Sequence, residues 1–234
     1  MSAAREISEA MRRDLVAFPD ELERQHDTIS TFYAFRYRNY RLLWAGDVFT
    51  AAAQWIQQTV ISWVVYDLTG SGSTLGAVNL MRSIPILFAS PAAGTVTDRY
   101  SRNRIIALSQ IAMAILTTLI AFDLVAGTLQ IWHLFLFTLL VSTANTFNMP
   151  ARQTFVFDIV PRRVTPNAVA LSWLAFSLAR SVGPAIGGAL IVAFGPANNF
   201  FLQAFAYLSV MITVLMIRGQ KEREVRPRQS FLAS

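Results

Sequence analysis

The chain has 234 residues, of which 54% are apolar, 15% are charged and none is cysteine. The apolar share is higher, and the charged share lower, than in ordinary soluble domains. The absence of cysteine excludes disulfides, thiolate metal sites and a cysteine nucleophile. The net charge of +6 does not indicate nucleic-acid binding, because the basic residues lie in segments that suit anionic lipid headgroups.

Residues 1–38 are predicted to form a polar cytoplasmic tail. Ile7, Met11 and Leu15 recur at helical spacing among Arg and Glu, so an amphipathic helix on the membrane surface and a solvated tail both stay open. No compact apolar core with a small-residue cleavage site occurs in this segment. The first long apolar stretch is therefore expected to act as its own insertion signal.

Residues 39–218 are predicted to form an all-α membrane domain of six transmembrane helices. Each apolar stretch reaches or approaches the ~20 residues that a helix needs to cross the hydrocarbon layer. Short outer connections make consecutive helices antiparallel neighbours. The predicted spans are residues 42–66, 74–97, 105–126, 131–149, 168–194 and 200–217.

The basic residues orient this set of helices. Of the 20 Lys and Arg, 18 fall in flanking segments or in connections on one alternate side, which is the inner side by the positive-inside rule. The chain is thus predicted to be a multi-pass protein of the cell (inner) membrane with both termini cytoplasmic. Residues 219–234 form a basic cytoplasmic tail, and residues 152–166 form a fourth connection that contains a short surface helix.

Polar residues at membrane depth need a reason, because a charge there costs at least ~2.5 kcal/mol. One interpretation is an aqueous cavity that binds a small molecule, and the other is a buried ion pair that only joins helices. Two deep arginines face one deep carboxylate, Asp47, which favours an anionic or acceptor-rich solute and makes Asp47 the available proton acceptor. The residues assigned to the substrate and proton path are Asp47, Gln54, Gln58, Asn79, Arg82 and Arg180.

The fifth stretch contains the sequence G-P-x-x-G-G at residues 183–188. Glycines allow another helix backbone to approach closely, and a proline removes one helical hydrogen bond and permits a bend. Static packing and a moving helix are both compatible with the pattern. The residues of this packing and bending motif are Gly183, Pro184, Gly187 and Gly188.

Two motifs resemble those of the major facilitator superfamily. The inner connection after the second stretch resembles the superfamily's gating signature, matching at Gly94, Asp98, Arg99, Arg102 and Arg104. The G-P-x-x-G-G sequence resembles the superfamily's antiporter motif. The sequence P-A-R-Q at residues 150–153 resembles the transmembrane secretion effector branch, which includes enterobactin exporters, although Asn148 stands where relatives often have Asp.

This resemblance implies the N-terminal half of the superfamily fold. It further implies a secondary active transporter that works by alternating access, an antiporter or exporter that is usually driven by protons. The expected substrates are drugs, siderophores or other amphiphilic or anionic small molecules. The expected partners are the lipid bilayer, the substrate, protons and a second six-helix half, with no nucleic acid, metal or cofactor.

Three other interpretations stay open, and a fourth, an intramembrane enzyme, is tested against the residues. The chain could be a fragment or truncated gene product, a non-transporting membrane protein, or a half-transporter that works only as a dimer. An intramembrane serine protease needs a histidine beside a serine nucleophile. His133 is the sole histidine in the predicted spans and has no matching serine motif, so no enzyme activity is predicted.

Overall fold

The computed structural model describes residues 31–217, and within this range all side chains except that of Asp98. The described part is helical throughout and contains no strand. The surface helix predicted within residues 1–38 and the basic tail at 219–234 lie outside the described residues, except for the end of the first segment. There a short 3-10 helix, Tyr33–Arg36, leads into the bundle.

Six helices follow, and we number them in chain order. They are α1 Arg38–Thr69, α2 Gly72–Met81, α3 Ser83–Arg99, α4 Arg102–Ala126, α5 Ile131–Ile159 and α6 Thr165–Met216.

Glycine ends two of these helices on the predicted outer side. Gly70 (φ 60°) closes α1 and Gly127 (φ 67°) closes α4, both in the left-handed conformation. This conformation is open to glycine at little cost and turns the chain out of a helix. The chain can therefore reverse within a few residues and return as an antiparallel helix.

The second predicted span is interrupted at Arg82, between α2 and α3. Pro85 lacks the N–H that would bond the carbonyl of Met81. The carbonyl of Arg82 accepts a hydrogen bond from Ser142 Oγ at 2.6 Å, so α5 satisfies a backbone group at the interruption.

Helix α5 continues through Pro150 to Ile159, and the prediction that it ends at residue 149 with a separate surface helix beyond was wrong. Proline inside a membrane helix is tolerated where side chains and neighbouring helices satisfy the backbone groups that it disturbs. Thr154 Oγ1 donates to the carbonyl of Pro150 at 2.8 Å. Arg152 therefore lies within α5, where its side chain is buried, and not in a connection.

Element α6 comprises two helices, residues 165–194 and 196–216, which meet at Gly195, where φ is 76°, ψ is 166° and the backbone is not helical. The predicted fifth and sixth stretches are thus joined at one glycine, without the expected outer loop. Its arms, residues 165–194 and 196–216, pack against α1 and α4.

Three of the described helices are long and apolar enough to cross a membrane, namely α4, α5 and α6. Helix α1 is long but carries Asp47 and three glutamines, and the second stretch is divided at Arg82. The all-α prediction is confirmed for the described residues, and the count of six spans stays a prediction.

Large apolar side chains cover the outer face of the bundle. On α4, four of them recur at helical spacing and are between 55% and 67% exposed: Leu108, Ile115, Leu119 and Phe122. Soluble proteins rarely leave such continuous apolar faces in water. This surface is typical of helices that face lipid.

The first arm of α6 crosses α1 at two glycines. A methyl group added at Gly183 would lie 2.6 Å from Trp55 Cβ, and one at Gly187 would lie 3.3 Å from Ile56 Cα. Gly188 has nothing within 4 Å at the same position. Close packing therefore explains two of the three glycines of the motif.

We expect Gly183→Ala to destabilise the protein by about 1–3 kcal/mol, because the added methyl overpacks the crossing with α1. Gly188→Ala is the matched control, since alanine favours a helix by up to about 1 kcal/mol over glycine and the site is open. Thermal unfolding in detergent, followed by tryptophan fluorescence, should show a lower Tm only for Gly183→Ala. Equal Tm values for the two variants would contradict the close crossing.

Candidate functional site

A buried ion pair joins α1 to α5. Arg152 Nε donates to Asp47 Oδ1 at 2.6 Å, and the side chains of Arg152 and Asp47 are only 9% and 17% exposed. Gly46 makes room for the guanidinium, because a methyl group there would lie 3.2 Å from Arg152 Nη2. The sequence-predicted carboxylate thus has an arginine partner that lies outside the predicted spans.

Further hydrogen bonds extend this pair to α4 and α6. Arg152 Nη1 donates to Thr50 Oγ1 at 2.6 Å, and Gln110 Nε2 donates to the same hydroxyl at 3.0 Å. Ser172 Oγ donates to Asp47 Oδ2 at 3.1 Å. Four helices therefore meet in one polar network at the level of Asp47.

The ion pair borders a cavity of about 270 Å³ between α1, α5 and α6, which we call the Asp47 cavity. Its walls combine the ion pair with aromatic side chains, of which Trp173 and Phe176 stand with ring centroids 6.0 Å apart. Asn148 also lines it. This residue is 1% exposed, and its Nδ2 is buried without a hydrogen-bond partner.

A second cavity of about 350 Å³ lies between α1, the α2–α3 interruption and α5, and we call it the Arg82 cavity. Arg82 lines it, and no carboxylate lies within 4 Å of its guanidinium among the described side chains. Across the same cavity, Gln58 Nε2 donates to Asn79 Oδ1 at 2.7 Å. Thr138 lines it as well, and its hydroxyl is buried and unpartnered.

One amide pair stands between the two cavities. Gln54 Nε2 donates to Asn145 Oδ1 at 2.7 Å, and both residues line the Asp47 cavity and the Arg82 cavity. The polar stripe predicted on α1, formed by Asp47, Gln54 and Gln58, is thus distributed along both.

Arg180 stands apart from both cavities. Its guanidinium lies over the Trp55 ring, 5.5 Å from the centroid, and the residue is exposed on the first arm of α6. The structure therefore separates the two arginines that the sequence pattern groups together.

The residues of the predicted gating signature lie at the junction of α3 and α4. Arg102 pairs with Asp158 of α5 and donates to the carbonyl of Thr154 at 3.3 Å. Arg99 and Arg104 are exposed, and a methyl group added at Gly94 would meet nothing within 4 Å. Only Arg102 among the described side chains of this signature joins two helices.

Sequence reasoning missed Arg152, Asn145, Thr50 and Gln110 as site residues. The sequence prediction places Arg152 in the connection at residues 152–166, whereas it lies within α5. A usable signal was an Arg directly after an apolar stretch, since a buried Asp at membrane depth needs a cation. Arg152 lies 105 residues after Asp47 in the sequence. Asn145 lies seven residues before Arg152, which places both on one helix face.

We expect Arg152→Gln to destabilise the protein by about 3–5 kcal/mol, because it leaves Asp47 as a buried charge without a partner. The double variant Asp47→Asn, Arg152→Gln should recover much of that loss. Arg102→Gln is the control, since its partner Asp158 is 27% exposed and a pair near the surface contributes about 1 kcal/mol or less. Equilibrium unfolding in mixed micelles measures these three variants and the unsubstituted protein, and a double variant no more stable than Arg152→Gln would contradict the pair.

Residues 29–234 match the family that is described as transmembrane secretion effector. The match covers the whole described range.

Several curated relatives align with this chain. The staphyloferrin A transporter of Staphylococcus aureus is 26% identical over 69% of this chain and 41% of its own length. Multidrug resistance protein 1 of Bacillus subtilis is 28% identical over 66% of this chain and 39% of its own length. The multidrug efflux pump Tap of Mycobacterium bovis is 27% identical over 82% of this chain and 48% of its own length.

The chain spans less than half the length of each of these relatives. The family match nevertheless extends over most of the chain, and the matched region contains the cavities and the ion pair described above. The chain therefore belongs to the transmembrane secretion effector family of the major facilitator superfamily.

Proposed function

We propose that this chain is the N-terminal half of a proton-coupled exporter that works by alternating access. Its substrates would be drugs, siderophores or other amphiphilic or anionic small molecules. The observation that carries the proposal is the pair of polar cavities inside an otherwise apolar bundle, one bordered by the Asp47–Arg152 pair. A purely structural bundle has no need of internal polar space beside a buried charge pair.

The proposed arrangement in the membrane has six spans, with the two arms of α6 forming the last two. The apolar outer faces support it, as does the distribution of the 20 Lys and Arg. Arg152 of α5 pairs with Asp47, and the other 17 of the 18 cations in the flanks and connections keep the positive-inside arrangement. Both termini would then be cytoplasmic.

Proton coupling is assigned to Asp47. A proton on this carboxylate would remove its charge and weaken its bond to Arg152, which joins α1 to α5. The same proton would weaken the bond from Ser172 of α6. One protonation would therefore loosen three helices at the same level.

The names of the relatives support an amphiphilic substrate, since they specify a siderophore and multidrug efflux. A second six-helix half is proposed as partner, either a C-terminal half like the uncovered part of the longer relatives or another subunit. The alternatives are a half that transports only as a dimer and a truncated membrane protein that transports nothing.

Reconstituted liposomes with a pH gradient distinguish a half that transports as a dimer from a chain that does not transport by itself. Staphyloferrin A and a macrolide antibiotic serve as labelled probes, because a relative transports the first and another relative from Streptococcus pyogenes is a macrolide efflux protein. A dimerising half should show flux that rises steeply with protein density in the membrane. Absence of gradient-driven flux of both probes, at every density, would refute transport by this chain.

The orientation is testable because the chain has no native cysteine. In intact cells, a membrane-impermeant maleimide should label Thr128→Cys, in the outer turn after α4, and should not label Ser101→Cys between α3 and α4. Ser101→Cys should react only after permeabilisation. The reverse labelling would overturn the proposed topology.

We expect the double variant Asp47→Asn, Arg152→Gln, which leaves neither charge buried without a partner, to lose gradient-driven flux while substrate exchange without a gradient is kept, because asparagine cannot release a proton. Asp123→Asn is the control, since Asp123 lies 3.1 Å from His133 near the predicted outer surface. Normal gradient-driven flux in the double variant would remove the proton role from Asp47.

A further inference from the structure

The two cavities differ in the chemistry of their walls. The Asp47 cavity contains a cation and an anion that neutralise each other, and it adds Trp173 and Phe176 as aromatic surface. The Arg82 cavity contains a cation without a carboxylate partner among the described side chains. One cavity is thus neutral and partly aromatic, and the other is positive.

Unpartnered hydrogen-bonding groups in the cavities can also serve a ligand that brings acceptors. Asn148 Nδ2, which can only donate, lines the Asp47 cavity, and Thr138 Oγ1, which can donate or accept, lines the Arg82 cavity. The buried unpartnered atoms that can only accept, which are Asn103 Oδ1, Gln110 Oε1 and Gln203 Oε1 among the described residues, belong to residues that line neither cavity. An unmade hydrogen bond of a buried group costs about 1–3 kcal/mol, so the cavities favour a ligand that brings acceptors.

The cavities are also continuous along α1. The Gln54–Asn145 pair borders both, and its amide groups can exchange their mutual hydrogen bond for bonds to a ligand. A ligand longer than one cavity could therefore lie across this boundary.

We infer that the two cavities form one elongated site for an amphiphilic anion, whose anionic group binds Arg82 and whose apolar body lies against Trp173 and Phe176. This inference rests on the proposed transport function and specifies its substrate class. The Arg82 end of the site selects for anionic ligands, because a carboxylate or phosphate gains a charge-assisted bond to the guanidinium. The end with Trp173 and Phe176 selects for apolar or aromatic groups. The distance between the two ends selects for ligands that are long enough to reach both.

The test uses matched probes of graded length. Phenylacetate, 4-phenylbutyrate and 6-phenylhexanoate are each compared with the corresponding neutral amide. Binding to the full chain in lipid nanodiscs is measured by equilibrium dialysis of labelled probe, with empty nanodiscs subtracted. No pH gradient is needed, so failure of this inference is separable from failure of transport.

We expect the longer acids to bind about tenfold more tightly than their amides, as a bond to a charged group predicts. Arg82→Gln should remove this preference and leave amide binding unchanged. Arg180→Gln is the matched control, because Arg180 is predicted to lie as deep in the membrane as Arg82 but lines neither cavity. This variant should keep the preference for acids over amides.

The Trp173→Ala variant tests the aromatic end of the proposed site. It should weaken the 6-phenylhexanoate complex several-fold and leave the phenylacetate complex unchanged, because only the long probe reaches both ends. Equal binding of acids and amides would overturn the inference. Equal effects of Arg82→Gln and Arg180→Gln would also overturn it, since the preference would then reflect the general positive charge of the chain.

Discussion

The bundle depends on a buried charge pair that is held between two apolar clusters. On α1, Asp47 and Thr50 lie between Leu43, which belongs to the inner cluster, and Ala53, which belongs to the outer one. Arg152 satisfies both polar residues at once. Neither charge could stay in this position alone, because an isolated ion in a low-dielectric interior is strongly unfavourable. The pair therefore fixes the relative position of α1 and α5, and with it the walls of both cavities.

The sequence predicted the helical class, the C-terminal end of α4, the polar face of α1 and the break at Gly195, because these follow from local composition, from glycine and from the period of 3.6 residues. It failed where proline stands inside a helix. Helix α5 continues through Pro150 to Ile159, beyond the predicted end of the span at residue 149. The effect of a proline depends on which neighbours satisfy the freed backbone groups. Those neighbours are distant in sequence, so a local pattern cannot identify them.

The charge inventory illustrates the same limit. Counting Arg82 and Arg180 against Asp47 predicts more positive than negative charge at membrane depth. The assignment of partners is different, since Asp47 pairs with Arg152, and Arg82 has no carboxylate partner among the described side chains. A composition argument gives the excess of charge, and only the packing shows where that excess lies. Arg82 lies in the cavity that also contains the unpartnered hydroxyl of Thr138, and Arg180 lies outside both cavities.

Arg180 bears on the question of a second six-helix half. Its guanidinium stacks on Trp55 at 5.5 Å, and the residue is otherwise exposed. A stack on an aromatic ring contributes at most a few kcal/mol, whereas a charge in contact with lipid near the middle of the membrane costs at least that much. The first arm of α6 also presents Gly188 with open space around it. The Arg180 side chain is thus unsuited to lipid, and contact with water or with another protein surface would satisfy it. The second six-helix half proposed above would satisfy Arg180 if it covered this side of the bundle.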